Sequence, residues 1–382
     1  MLRHAAAPIF ACYTATDTFM QTAVDPATLD GVVYGTVIQE ARTSNIARES
    51  ALGAGVPDTT PAHTVTLACI SANVAISHGA ALIGTGQASA VVVGGTETMS
   101  DVPIRFSREM RKRMLAAQKG IRGIGDVIKF LRGFKLSYLI PEAPAIAEFS
   151  TGEVMGHSSD RLAAKWGVSR TEQDDFAFRS HTLAAAAIKA GNFHDEITPG
   201  PGGEVLGACV AADPSRRLCR SNACIPVNGH PIPSLAAGNV VDNGVRGDTP
   251  RSKYDTLKPA FIKVCERRLL HGAHDAHSQS SSSLIHTCTH GYFPAMQPHG
   301  THTAANSSFL TDGASAALLM SEARAIADNV KPKAYLRDWI FVSQDPREEL
   351  LLGPAYAIAR LLARNGLTMR DISVVEMHEA FA

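Results

Sequence analysis

Short β-branched runs alternate with longer alanine-rich stretches along most of this chain, and the alternation predicts its elements. Residues 29–39, LDGVVYGTVIQ, read as a strand bounded by glycines. Residues 44–55 read as a short helix, and 63–87 as a strand, a sharp turn and an Ala-rich helix. A buried strand over 88–100 is expected to end at Gly94-Gly95. Residues 158–191 predict two helices. Ser169 caps the second, Glu172 three positions on completes a capping box, and Gly191 ends it. Residues 301–327 predict a loop, a strand and a helix. The tail, 331–382, predicts a strand near Ala334–Leu336, a helix near Ala355–Asn365 and a last buried strand at Val374 and Val375. This alternation implies an α/β layered fold with a mixed or parallel sheet.

Three stretches depart from the pattern. Residues 104–135 hold ten Lys or Arg against only Glu109 and Asp126, with apolar positions such as Ile104, Phe106, Met114 and Leu115 between them. A basic amphipathic helix of this kind can rest on an anionic membrane surface, collect phosphates, or simply present a solvated face. Residues 200–238, rich in Gly, Pro and Ala, and 264–300, rich in His and Ser, carry neither period and read as insertions.

Composition narrows the class. A chain of 382 residues, 45% hydrophobic and 19% charged, is long enough for two or three structural units. Lys plus Arg and Asp plus Glu are equal at 36, so the overall charge supplies no drive toward nucleic acid. No apolar run approaches the ~20 residues of a membrane-spanning helix. Seven scattered cysteines, an odd number, argue for a reducing compartment rather than a disulfide framework. The start, with Arg3 and no acid before Asp17, is compatible with an organelle-targeting peptide or with a frayed terminus.

Two positions carry candidate chemistry. Cys69, in TLACISANVA, falls between a strand and a helix, where the first backbone N–H groups and the helix dipole favour a nucleophilic thiolate. The alternative is a small buried hydrophobe. His378, in VVEMHEAFA, follows the last predicted strand with Glu376 and Glu379, where reactive groups collect in α/β proteins. It can serve as base or oxyanion donor, or bond to backbone in a turn. The histidines of 271–290, with Cys288, lack periodic context, and Cys219 with Cys224 lacks a second pair at zinc spacing, so no metal site is assigned.

Longer segments carry a resemblance. ACISANVAISHGAALIGTGQASAVVVGGTETMSDVPIRFSREMRKRML, EFSTGEVMGHSSDRLAAKWGVSRTEQDDFAFRSH, LKPAFIK, TAANSSFLTDGASAALLMSE, PKAYLRDWIFVSQDP, LLLGPAYA and HEAFA occur in the order found in the thiolase family. DVPIRFSREMRKRML, and His rather than Asn in HEAFA, resemble the 3-ketoacyl-CoA thiolase branch that works with a hydratase/dehydrogenase subunit.

The resemblance implies two duplicated α-β-α halves with a coenzyme A-binding loop region. Residues 1–107 and 301–322 would form the N-terminal half without its first strand and helix. Residues 108–300 would form the loop region with its two insertions, and 323–382 an incomplete C-terminal half. Cys69 matches the acylated nucleophile and His378 an oxyanion-hole position. Ala304 and Ser308 match residues along the pantetheine channel; Met155, Phe261 and Phe381 match its apolar contacts, and Arg246 a basic residue near the nucleotide. Arg105, Arg108, Arg111, Lys112 and Arg113 match a membrane-surface and acyl-chain region. Acyl-CoA substrates, CoA as a substrate rather than a permanent cofactor, a homodimer, an α subunit and a mitochondrial setting follow, or a cytoplasmic one for a bacterial protein.

The family's GHP histidine and glycine-rich second cysteine motif do not occur, and would fall beyond residue 382. The insertions 200–238 and 264–300 read as translated non-coding sequence, and an unrelated start stands in place of the family's first strand and helix. The expectation is a 3-ketoacyl-CoA thiolase of fatty-acid β-oxidation, inactive as residues 1–382. The alternative is a non-catalytic thiolase-like protein that binds CoA or a subunit. The ACISAN and MGHSSDRLAAKWGVSRTEQD segments disfavour a ketoacyl synthase.

Overall fold

The computed structural model describes residues 22–41, 43–120, 123, 133–193, 196–197, 244–262 and 300–382. The targeting-like start, most of 121–132, the 200–238 insertion, nearly all of the His-rich insertion and every cysteine but Cys69 lie outside the described residues. In chain order the main elements are β1 (Gly31–Gly35), α1 (Ile46–Gly53), β2 (Ala62–Val65), α2 (Ser71–Gly84), β3 (Ala90–Glu97), β4 (Arg105–Phe106), α3 (Arg108–Gly120) and β5 (Pro141–Glu142). They continue with α4 (Met155–Trp166), α5 (Arg170–Ala190), α6 (Arg251–Asp255), β6 (Gly313–Met320), α7 (Glu322–Ala327) and α8 (Gly353–Arg364). Two compact units result. Among the described residues, those up to Pro144, with 196–197 and Leu310–Leu336, belong to the first, and those within Ala145–Asp195, Val241–Phe309 and Arg337–Ala382 belong to the second.

The first unit is built on a mixed sheet in the order β2-β1-β3-β6. β1 pairs in parallel with β2 and β3, and β6 closes antiparallel on β3. Side chains on a strand alternate between faces, and here each face has its own core. Val32, Tyr34, Ala90 and Val92 pack with Ala47 and Ala51 of α1. Val33, Val91 and Val93 pack with Ala75 of α2. Burial on both faces is why β1 and β3 read as continuous hydrophobic runs rather than alternating ones. Each buried Val contributes about 1.5–3 kcal/mol.

Glycines set the spacing between these layers. A Cβ at Gly35 would lie 2.3 Å from the carbonyl carbon of Ser71, and one at Gly94 would lie 2.0 Å from the Ser315 carbonyl oxygen. Gly94-Gly95 therefore does not end β3, which runs on to Glu97; the pair lets β6 and α2 approach. The Glu97 carboxylate then accepts from the N–H groups of Val37 (2.7 Å) and Ile38 (3.1 Å), tying down the chain that leaves β1.

The basic segment forms α3, beside the short β4–β5 ladder. Three of its cations are engaged locally. Arg111 bonds Glu142 (2.7 Å), Lys112 bonds Glu109 (2.8 Å), and Arg113 donates to the Gly133 carbonyl (2.9 Å) and lies over the Tyr138 ring. Arg105, Arg108, Ile104, Phe106, Leu115, Leu136 and Ile140 are exposed.

In the second unit, α4 and α5 meet at Gly167, whose φ of +69° turns the chain. Ser169 then accepts from Glu172 N while the Glu172 carboxylate accepts from Ser169 N, the capping box expected from the sequence. Gly191, at φ +73°, ends α5. Arg170 donates to the carbonyls of Tyr254 (2.8 Å) and Leu257 (3.2 Å), which joins α5 to the end of α6. Two expected strands, one at the end of the first unit and one in the second, are absent. Ala334–Leu336 and Val374–Val375 lie outside any strand, and Val374 is 73% exposed. Their β-branched or apolar character supplies propensity but not a ladder partner, and a strand forms only against one. Among the described residues no helix is long and apolar enough to cross a membrane.

Candidate active site and ligand cavity

Cys69 sits on a strained turn in the first unit. Ala68 takes a φ of +45°, a left-handed conformation that costs a residue with a Cβ about 1 kcal/mol or more. The turn is held by its own bonds. The Ser71 hydroxyl accepts from Leu67 N (2.8 Å) and donates to the Ala68 carbonyl (2.7 Å), and Ser71 N donates to the same carbonyl (3.1 Å). The result is an exposed Cys69 thiol just before α2. No side chain caps that helix at Ile70 and no acid lies in its first turn, so its dipole end is not offset by a negative side chain of its own. The approach of Gly35 to Ser71 fixes the start of α2 over the end of β1.

The second unit holds a separate cavity of about 570 Å³. Arg246, Ala304, Ser308 and Phe381, which sequence reasoning selected, all line it. Met155 and Phe261 do not line it; Phe261 reaches it indirectly, edge-on to Phe381 at 5.7 Å between centroids. Met155, half-buried, opens α4. Sequence reasoning missed the α5 side of the wall, Phe176, Ala177, Ser180 and His181. Their i, i+4 spacing places them on one helix face, a signal visible in the sequence but shared with any amphipathic helix. His181 Nδ1 accepts from Arg246 N at 3.2 Å and so joins two sides of the cavity.

A buried polar network fixes the 301–309 loop that supplies Ala304 and Ser308. The Asp160 carboxylate accepts from Thr301 N (2.8 Å) and His302 N (3.1 Å). Asn306 donates to Asp174 (2.8 Å) and the Thr301 carbonyl (3.1 Å), and accepts from Thr303 N (2.6 Å). Asp174 is also paired with Arg170 at 2.6 Å. These buried carboxylates are satisfied, as burial requires. The C-terminal segment adds to the loop in an antiparallel bridge between Ser307 and Phe381. Ser308 N donates to the Ala380 carbonyl (2.9 Å) and Ala382 N to the Asn306 carbonyl (3.0 Å). His378 lies exposed just before this bridge.

Burial holds the imidazole of His302 below its ordinary 6.5, although Asp160 opposes the shift. The cavity thus combines apolar walls from Phe176 and Phe381 with the cations Arg246 and Lys253. Its volume suits an organic ligand, and a lining that sets Arg246 and Lys253 against Glu379 beside aromatic rings suits one with both anionic and apolar parts. Among the described residues no cluster of three or more metal-ligating side chains occurs.

Comparison with known proteins bears on both sites. The family model for the thiolase N-terminal domain matches residues 3–206, and that for the thiolase C-terminal domain matches residues 330–382. A probable 3-ketoacyl-CoA thiolase of Caenorhabditis elegans is 46% identical over 354 residues, 93% of this chain and 64% of that protein. The mitochondrial trifunctional enzyme subunit beta of Homo sapiens is 45% identical over 363 residues, 95% of this chain and 62% of that protein. The chain thus spans less than two thirds of the length of either relative. The fold is similar to that of the human mitochondrial 3-ketoacyl-CoA thiolase crystallised with CoA, at a TM-score of 0.68 and 24% identity, over the whole of this chain and 75% of that one.

Proposed function

Because this chain belongs to the thiolase family, we propose that the protein is a 3-ketoacyl-CoA thiolase of fatty-acid β-oxidation with Cys69 as nucleophile. The Cys69 thiolate attacks the keto carbon of a 3-ketoacyl-CoA. The resulting alkoxide collapses, the bond between the keto carbon and its CoA-side neighbour breaks, and that neighbour takes a proton and leaves as acetyl-CoA. The acyl group, held as a thioester on Cys69, passes to the sulfur of a second CoA, whose thiol proton is released and balances the one taken up by acetyl-CoA, and the Cys69 thiolate is restored. Splitting the carbon–carbon cleavage into two acyl transfers is the gain of covalent catalysis. His378 is assigned as a donor to the thioester oxyanion.

The observation that carries this reading is the cavity of about 570 Å³ that gathers Arg246, Ala304, Ser308 and Phe381 from three separate parts of the chain. Arg246 and Lys253 suit the phosphates of CoA, and Phe381 and Phe176 suit its arm. The mitochondrial relatives support a mitochondrial setting, and the trifunctional relative supports assembly with a hydratase/dehydrogenase α subunit. A homodimer belongs to the same reading. The exposed Arg105 and Arg108 and the apolar residues around them suit a membrane surface, while Arg111, Lys112 and Arg113 are held in local contacts.

Incubation with a 3-ketoacyl-CoA followed by mass spectrometry tests the chemistry. An acyl adduct on Cys69 that is absent from Cys69→Ala and removed by added CoA would support this reading and overturn the expectation that residues 1–382 are inactive. CoA binding without any adduct would favour the non-catalytic alternative. Arg246→Ala is expected to weaken CoA binding and leave Cys69 reactive toward iodoacetamide.

A further inference from the structure

His302 has no place in the thiolysis scheme, yet it is 1% exposed and bonded on every side but one. Its N–H donates to Asp160 (3.1 Å), its carbonyl accepts from Ala260 N (2.8 Å), and its Nε2 lies 2.6 Å from the Ser159 hydroxyl. Nδ1 has no hydrogen-bond partner among the described residues. The imidazole lies against Phe381 with centroids 4.8 Å apart and planes at 42°. Phe381 meets Phe261 edge-on at 5.7 Å, and Phe261 meets His157 at 6.5 Å. Phe261 in turn covers Gly156, where a Cβ would fall 2.2 Å from its ring. Four rings thus form a ladder, with His302 as its buried end.

We propose that His302 is a positioning residue for the ligand cavity, its imidazole being the platform that holds the Phe381 ring as a wall of that cavity. The backbone bridge fixes the Cα of Phe381 but leaves its side-chain torsions free, so the ring's orientation must come from what it rests on. Removing the platform opens a void under Phe381, and a ring facing a void loses contact and turns into it. Asp160 and Arg170 are the charged groups that act on the platform. Burial keeps the imidazole neutral near pH 7, which lets it pack as an aromatic surface. The proposal rests on the reading of this cavity as the CoA site.

Two variants of the full chain separate the ring from its hydrogen bond. His302→Gln keeps a polar partner for Ser159 but removes the ring. His302→Phe with Ser159→Ala keeps a ring and removes the bond. CoA affinity by calorimetry is expected to fall about tenfold in His302→Gln and to stay within about threefold of the parent in the ring-bearing variant. With ¹³C-labelled phenylalanine, the Phe381 ring signal, assigned through Phe381→Leu, should shift in the first variant and not in the second. If His302→Gln does not fold, His302→Leu with Ser159→Ala replaces it as the ringless variant. Equal affinities in the ringless and ring-bearing variants, or loss confined to the variant lacking the bond, would overturn the proposal. If the parent chain binds no CoA, the reading of the cavity fails instead. The Phe381 ring signal still decides the role of His302: an unchanged signal in the ringless variant refutes it.

Discussion

Gly35 and Ser71 are so close that a methyl on Gly35 would lie 2.3 Å from the Ser71 carbonyl carbon. No side chain can give way there, because the neighbour is backbone at the start of α2. Gly35→Ala must displace the helix and with it the turn that carries Cys69. The expected cost is about 3 kcal/mol, the upper range for overpacking, with an altered rate of Cys69 alkylation. Gly84→Ala, at the far end of α2 where a Cβ meets nothing within 4 Å, serves as control and should be neutral or slightly stabilising. Urea melts and iodoacetamide kinetics on both variants check the pair.

Asn306 is the clasp of the loop that supplies Ala304 and Ser308. Its amide satisfies Asp174, the Thr301 carbonyl and Thr303 N together. Asn306→Ala leaves three buried groups short of a partner and should cost about 3 kcal/mol. Asn306→Asp keeps the shape but sets a second carboxylate against Asp174, so it should be worse near neutral pH and recover partly as acid neutralises one of the two. Denaturation midpoints of the two variants across pH test the order; an Asn306→Asp chain as stable as the parent would refute the clasp.

The helical parts of this fold were legible in the sequence because their signals are local. The Ser169–Glu172 box and Gly191 lie within one turn of the ends they define, and both appear where expected. Strand ends were less legible. Gly94-Gly95 read as a terminator, whereas both residues serve close approach inside β3, and one sequence can signal either. Val374 and Val375 read as a buried strand, but no local pattern tells whether a ladder partner exists. The site divided in the same way. Cys69 came from a contiguous motif, and Ala304, Ser308, Phe381 and Arg246 from the resemblance to the thiolase family, Arg246 outside any of the matching motifs. The Ser159–His302 and Asp160–Thr301 contacts span more than 140 residues between polar positions without periodicity, and composition gives no hint of them.

Acid should weaken this protein through its histidines. His63 on β2 packs edge-on against His78 on α2, 4.7 Å between centroids. Burial first, and then the charge of His78, holds His63 below its ordinary 6.5. His302 is also held low, chiefly by burial. A lowered folded value means that the unfolded chain takes up the proton first. Stability from these groups is therefore complete above about pH 6.5 and is lost as pH falls through the folded values. His78→Gln removes the like charge and should let His63 rise. Urea midpoints at about pH 7.5 and about pH 5.5 should then differ less in His78→Gln than in the parent. An equal loss in both chains would show that the histidine contact has no role in the acid response.

The irregular stretch around Val375 offers the opposite kind of test, because change there should cost little. Val374, Val375 and Met377 are all exposed and lie outside any strand. An apolar run of this kind invites association through its unpaired backbone and its side chains together. Val375→Lys places a charge on a side chain about half exposed, so unfolding free energy should stay within about 0.5 kcal/mol of the parent. Light scattering at rising concentration should show less self-association in the variant, since a lysine on an open edge repels its own copy. A loss above about 1 kcal/mol would mean that Val375 is packed in solution. Unchanged scattering would mean that the exposed surface responsible for association lies elsewhere.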